Sequence, residues 1–352
     1  MILYVWTMTN TKIEKVALID YATSIIWVTR YYNAGEFELY VRATPELLNL
    51  FASATMITRD DDKRVMIPDR VRLTTSFENG DYLIIAGKSA EGLLDLRIIT
   101  RMTTFHGNVE WIIRSIVYDN CINPSPNYRV IPNLVLGDQI GGTEVIDKQI
   151  TGKTILSAIA NMCQAYDLGF KIEWINGQFV FTLYRGNDHA TGRLPHVVFS
   201  TEYENLGNTD FVYDKSQCFT SVYVAGEGEG YDRKIVNVND NSYGFNIREN
   251  WYDAQTMSTK DDGSVIPDAT YTEMLKQEGR EFLDDHKPSY SFAGEVLNSG
   301  TFTYGVDYNL GDKVVVQNEY GLTGTSVITE VSEVEDDQGY RVYPTLSEWR
   351  VD

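Results

Sequence analysis

The chain has 352 residues, 43% hydrophobic and 23% charged, a balance that excludes a disordered, collagen-like or coiled-coil description of the whole and a length that suggests two to four domains. With 30 Lys and Arg against 50 Asp and Glu, the formal charge is −20, which argues against affinity for nucleic acid through phosphate neutralisation and would let DNA slide past without sticking. The longest apolar runs, 82–86 and 314–316, fall far short of the roughly 20 residues that span a bilayer, and the apolar stretch 1–6 lacks a basic leader, so it reads as a first strand in a protein made in a cytosol.

From residue 1 to about 88, short alternating runs at 15–20, 24–31, 36–41, 70–77 and 82–88 predict a β-rich first domain. Asn33-Ala34-Gly35 joins two of these runs as a hairpin, and Asn79-Gly80 is a turn signal. Between them, Thr44 as a cap and Pro45 at the first position predict a short helix over 45–51. The region 89–189 reads as an α+β insert. Its helix, 154–168, carries Ile155, Ile159, Met162, Cys163 and Tyr166 at helical spacing, with Gly169 as the stop. Its hairpin, 170–184, turns on Asn176-Gly177.

Strands return at 196–200, 211–213 and 220–225, and the three glycines of Gly226-Glu227-Gly228-Glu229-Gly230 are expected to end that sheet. A polar segment, 231–288, follows, with turns at 239–241 and 261–263 and a helix over 271–285. Thr270 and Glu273 have the capping-box spacing, Tyr271, Met274, Leu275 and Phe282 share a face, and Pro288 stops the helix. Alternation over 289–352, with strands at 290–297, 313–317, 325–330 and 341–343, predicts a second, compact β-barrel. The fold class is therefore β-rich α+β, in several domains.

The catalytic motifs fail one by one. Thr151-Gly152-Lys153-Thr154 resembles the end of a phosphate loop, but Asp147 stands where that loop needs glycine, so Thr154 reads as a helix cap. His106, His189, His196 and His286 show no zinc-ligand spacing, and His286 after Asp284-Asp285 suits a helix C-terminus. Asp60-Asp61-Asp62 and Asn237-Val238-Asn239-Asp240-Asn241 are oxygen-rich but match no EF-hand, so they read as solvated turns. Glu227 and Glu229 would repel a pyrophosphate from the glycines beside them. No serine sits in a nucleophile elbow, and nothing singles out a carboxylate pair for glycoside hydrolysis. Cys121, Cys163 and Cys218 lack any CxxC pattern and read as buried free thiols. No catalytic, cofactor or metal residue is assigned, and no enzymatic activity is expected. The 23 Tyr, 14 Phe and 6 Trp favour strands and contact surfaces instead.

Four segments, in order, carry a resemblance: WVTRYYNAGEFELY at 27–40, IIAGKSAEGLLDLRII at 84–99, VYVAGEGEGYDR at 222–233 and YGVDYNLGDKV at 304–314. They resemble the tail-hub family of long-tailed bacteriophages and prophages, Gp37-like tail proteins whose longer members are called tail-associated lysins or prophage endopeptidase tail proteins. One departure is His189 in Gly186-Asn187-Asp188-His189, where the family pattern leads one to expect arginine. The resemblance implies two small barrels with α+β inserts, the first discontinuous, formed by 1–88 and completed by strands at about 190–230. It further implies a homotrimeric virion tail hub at the tail tip or baseplate, assembled in the bacterial cytoplasm. The implied partners are the distal tail protein, the tape measure protein, and receptor-binding proteins or tail fibres. Because the sequence ends at Asp352, lytic activity is not expected to carry over. A carbohydrate-binding adsorption module is the second reading, motivated by Tyr and Trp that could stack on sugars, and a cell-wall-degrading lysin the third.

Overall fold

The computed structural model describes residues 1–8, 12–75, 80–191, 195–261, 264–297, 301–321 and 323–347. Phe77 at the end of one predicted strand, Asn79 of the predicted turn, Asp262-Gly263 and the last five residues lie outside them.

The first module is β1 (Leu3–Met8), β2 (Ile13–Ile19), β3 (Ser24–Arg30), β4 (Glu36–Arg42), α1 (Pro45–Ser53), β5 (Met56–Arg59), β6 (Val65–Thr74) and β7 (Tyr82–Ser89). Period-two alternation builds it: Phe37, Leu39 and Val41 of β4 are buried beside Trp27 of β3, while Glu36 and Arg42 are exposed. The predicted hairpin at 33–35 joins β3 to β4. The predicted helix is α1, whose Thr44 hydroxyl accepts from the Leu47 N–H at 3.2 Å.

The insert holds β8 (Thr103–Asn108), α2 (Val109–Val117), β9 (Leu134–Leu136), β10 (Val145–Ile150), α3 (Ile155–Ala165), β11 (Gly169–Ile175) and β12 (Gln178–Tyr184). Thr154 caps α3 by accepting from the Ser157 N–H, as its place in the sequence predicts. Asn176 and Gly177 both have positive φ, 51° and 81°, which gives β11 and β12 the tight hairpin expected of Asn-Gly. The helix ends differently from the prediction. Asp167 at φ 50° makes the left-handed turn, and Gly169 already belongs to β11.

The remaining elements are β13 (Val198–Ser200), β14 (Leu206–Asp214), β15 (Ser221–Ala225), β16 (Ile235–Asn239), β17 (Glu249–Asp253), β18 (Lys260–Asp261), β19 (Ser264–Val265), α4 (Asp268–Asp285), β20 (Ser289–Val296), β21 (Lys313–Gln317), β22 (Thr323–Asp336) and β23 (Gly339–Leu346). Helix α4 starts two residues before Thr270, directly after Pro267, so the Thr270/Glu273 capping box does not form. The predicted apolar face is present: Tyr271, Met274 and Leu275 are buried against β15 and β16, with Phe282 packed at the edge.

Strand pairing corrects two expectations. The strands at about 190–230 do not complete the first module: β13 pairs with β21, β14 with β20, and β15 with β16 and β17. The glycines of 226–230 therefore connect β15 to β16 rather than end the sheet. The strand that joins the first module is the 14-residue β22, whose first five residues pair with β21 and whose later residues pair with both β3 and β23. A single sheet results, in the order β13-β21-β22-β3-β4-β7-β6-β5-β1-β2, with β23 branching from β22. It carries two β cores, one around Trp27 and Leu39 and one around Phe199, Leu310 and Val331. The sheet curls until Arg59 of β5 and the N-terminal amine reach Glu333 and Glu335 of β22. Side chains bridge this gap, and no backbone ladder closes it among the described residues.

Candidate assembly site

The modules meet at Tyr31, the last residue before the β3–β4 turn. Its ring is 1% exposed and lies against Tyr32 and Tyr184, with centroids 4.7 Å and 5.2 Å away. Three glycines make the approach possible. A Cβ at Gly169 would stand 2.1 Å from the ring and one at Gly311 2.4 Å from it, while one at Gly186 would stand 1.8 Å from the Gly311 carbonyl oxygen. The Gly186 N–H donates to the Tyr31 hydroxyl at 3.2 Å, and that hydroxyl donates to the Asp167 carbonyl at 3.4 Å. Burial pushes the phenol's pKa upward. One side chain thus touches the first module, the insert and the last module.

Asp312, 1% exposed, ties the same junction electrostatically. Its carboxylate accepts from the Asn187 N–H at 2.6 Å and the Asn309 N–H at 2.7 Å, and lies 3.3 Å from His189 Nε2. Backbone bonds from Lys313 to Asn187 and from His189 to Lys313 lock the two segments. The imidazole of His189 therefore faces a carboxylate from the position where arginine was expected. Next to it, Asp188 accepts from the Thr191 hydroxyl and from the Thr191 and Ala190 N–H groups, which holds its pKa down at about 2.

Most of the other singled-out residues have partners within the fold. Glu227 accepts from the Thr259 N–H and hydroxyl, which lower its pKa, while its own N–H donates to the Tyr271 hydroxyl at 2.7 Å. Asp61 takes both Nε and Nη2 of Arg59, and Asp62 accepts from the Arg64 N–H. Asp240 accepts from the Ser242 N–H, the turn read from 237–241. His286 caps α4 with Nδ1 2.7 Å from the Phe282 carbonyl, and exposed His106 lies 2.6 Å from Asp147. Cys121, Cys163 and Cys218 are buried free thiols, and burial pushes Cys121 up to about 12. Among the described residues, no three His, Cys, Asp or Glu side chains are placed to hold a metal ion, and no helix is long and apolar enough to cross a membrane.

Exposed apolar side chains among the described residues include two groups. Val16 and Leu18 project from β2, the edge strand of the large sheet, at 44% and 50% exposure. On the β16-β15-β17 sheet, Tyr223 and Trp251 stand side by side in register on the face away from α4, and Tyr243 and Phe245 precede β17 almost fully exposed. Arg233 stacks 5.9 Å from the Trp251 ring. Exposed aromatics paired across neighbouring strands, as Tyr223 and Trp251 are, mark contact surfaces. Sequence reading missed Tyr31, Asp312 and Arg59 as junction residues; the Tyr31-Tyr32 pair and the isolated glycines at 169, 186 and 311 were the available signal.

The described fold is shared with solved tail proteins. A tail protein from Neisseria meningitidis MC58 is 15% identical with a TM-score of 0.57, and the match covers 98% of this chain and 96% of that one. The 43 kDa tail protein of prophage MuSo2 from Shewanella oneidensis is 14% identical with a TM-score of 0.56, covering 99% and 98%. Prophage tail protein gp18 from Listeria monocytogenes EGD-e is 12% identical with a TM-score of 0.54, covering 98% and 94%. No curated protein matches the sequence. The sequence pattern of one family does match, over residues 2–346, and with it the resemblance read from the four segments becomes membership: the chain belongs to the Siphovirus ReqiPepy6 Gp37-like protein family.

Proposed function

We propose that this phage or prophage tail protein is the hub protomer of the tail tip. Three copies would form a ring that closes the tail tube. The ring would join the distal tail protein to the receptor-binding proteins or fibres, with the tape measure protein nearby. The observation that carries this reading is end-to-end similarity: the family matches residues 2–346, and nearly the whole chain superposes on nearly the whole of each prophage tail protein. The two β cores joined through β22 give each protomer two β-rich parts, which suits a threefold ring meeting a sixfold tube. The −20 charge suits a ring through which DNA passes. Assembly would take place in the bacterial cytoplasm, and the role is structural, without catalysis.

Light scattering over a range of protein and salt concentrations is the test. A mass near three times 40.0 kDa is expected. A monomer at every concentration, alone and with the distal tail protein added, would overturn the ring. A second reading, adsorption to cell-surface carbohydrate, is favoured by the exposed Tyr223, Trp251, Tyr243 and Phe245. It expects glycan-array binding that Trp251→Ala abolishes; silence on the array removes it.

A further inference from the structure

We infer that residues 215–288 form a jointed arm, latched to the insert by Lys148. The chain enters and leaves the arm through one ribbon: β14 leads into it, β20 leads out, and the two pair antiparallel down to Asp214 opposite Ser289. At the top of the ribbon the Phe219 N–H donates to the His286 carbonyl at 3.0 Å, so the arm's two ends meet at one point. The arm has its own core, around Val222, Val224, Tyr271, Met274 and Leu275, which shares no residue with the core of the insert.

Polar groups hold the two bodies together. Lys148 of β10 is 5% exposed, and its ammonium sits between Glu278, at 3.1 Å, and Glu281, both on α4. Buried Gln149 accepts from the Ser258 N–H at 2.7 Å, and Gln277 donates to the Tyr166 hydroxyl at 2.7 Å. A junction between two separate cores that carries a buried ion triad and amides differs from the interior of one core. Its groups regain water on parting, whereas removing one member leaves buried charges unpaired. The aromatic face of Tyr223 and Trp251 travels with the arm, which makes it a surface that can swing.

Hydrogen exchange and small-angle scattering on the full chain test the latch. With Lys148→Met, exchange at 145–150 and 253–259 and in the ribbon is expected to rise by roughly 100-fold, with a larger radius of gyration. Protection at 222–225 and 271–275 is expected to stay at the wild-type level. Glu278→Gln with Glu281→Gln should have the same local effect. Unchanged exchange at the junction overturns the inference. Loss of protection throughout the arm core in both variants overturns it as well, because the triad would then be part of one cooperative core.

Discussion

Gly311→Val is expected to destabilise the protein by about 3–5 kcal/mol. Gly311 has φ 93°, a conformation that costs an L-residue roughly 1–2 kcal/mol and a β-branched one more. Its new Cβ would also stand 2.4 Å from Tyr31 Cε2, and overpacking of that kind costs about 1–3 kcal/mol. The ring cannot retreat, because Gly169 and Tyr184 hold its other sides. The two causes separate in a cycle. Tyr31→Ala should itself cost about 3–5 kcal/mol, as for a large buried aromatic, yet in that background Gly311→Ala should cost only the backbone strain, about 1–2 kcal/mol. Urea midpoints of the four proteins measure this. Equal costs of Gly311→Ala in both backgrounds would show that the ring and the glycine are not in contact.

Arg59→Ala should cost about 3–5 kcal/mol, the usual consequence of removing one partner of a buried ion pair. The Arg59 and Glu333 side chains are 4% and 6% exposed, and Nη1 lies 2.9 Å from Oε2. Burial lowers the guanidinium pKa, but Asp61 and Glu333 outweigh it and hold the pKa above the ordinary value. Glu333 also accepts from the Tyr340 hydroxyl at 2.5 Å, and the guanidinium lies 5.4 Å from the centre of the Trp27 ring. Without Arg59 the carboxylate is left buried at the gap between β5 and β22. Arg59→Met with Glu333→Leu should recover most of the loss, since the charge and its orphaned partner go together. An Arg59→Ala midpoint within about 0.5 kcal/mol of wild type, the range of ordinary surface changes, would show that the gap is held by other contacts.

Much of this molecule was legible locally. The Asn176-Gly177 hairpin, the Thr44 and Thr154 caps and the apolar face of α4 each depend on residues within a few positions of one another, and their physics is complete at that range. Where local reading failed, a neighbour in space intervened. Gly169 looked like a helix stop because glycine commonly is one; it is glycine because the Tyr31 ring, far away in sequence, occupies the place of its Cβ. The oxygen-rich and glycine-rich segments at 60–62 and 226–230 find partners within the fold, Arg59 for Asp61 and Thr259 and Tyr271 for Glu227.

The β-rich α+β class, the short-range turns and helices and, through the order of four segments, the family could all be read from the order of residues. Which strands pair was settled by the three-dimensional packing. Backbone hydrogen bonds between strands are nearly indifferent to side-chain identity, so a run such as 196–225 can join any compatible edge. The choice of β22 as partner of β3, the place of Tyr31 among three glycines and the Lys148 triad rest on contacts between residues far apart in the chain. Those contacts gain their energy only once burial has removed the alternatives offered by water.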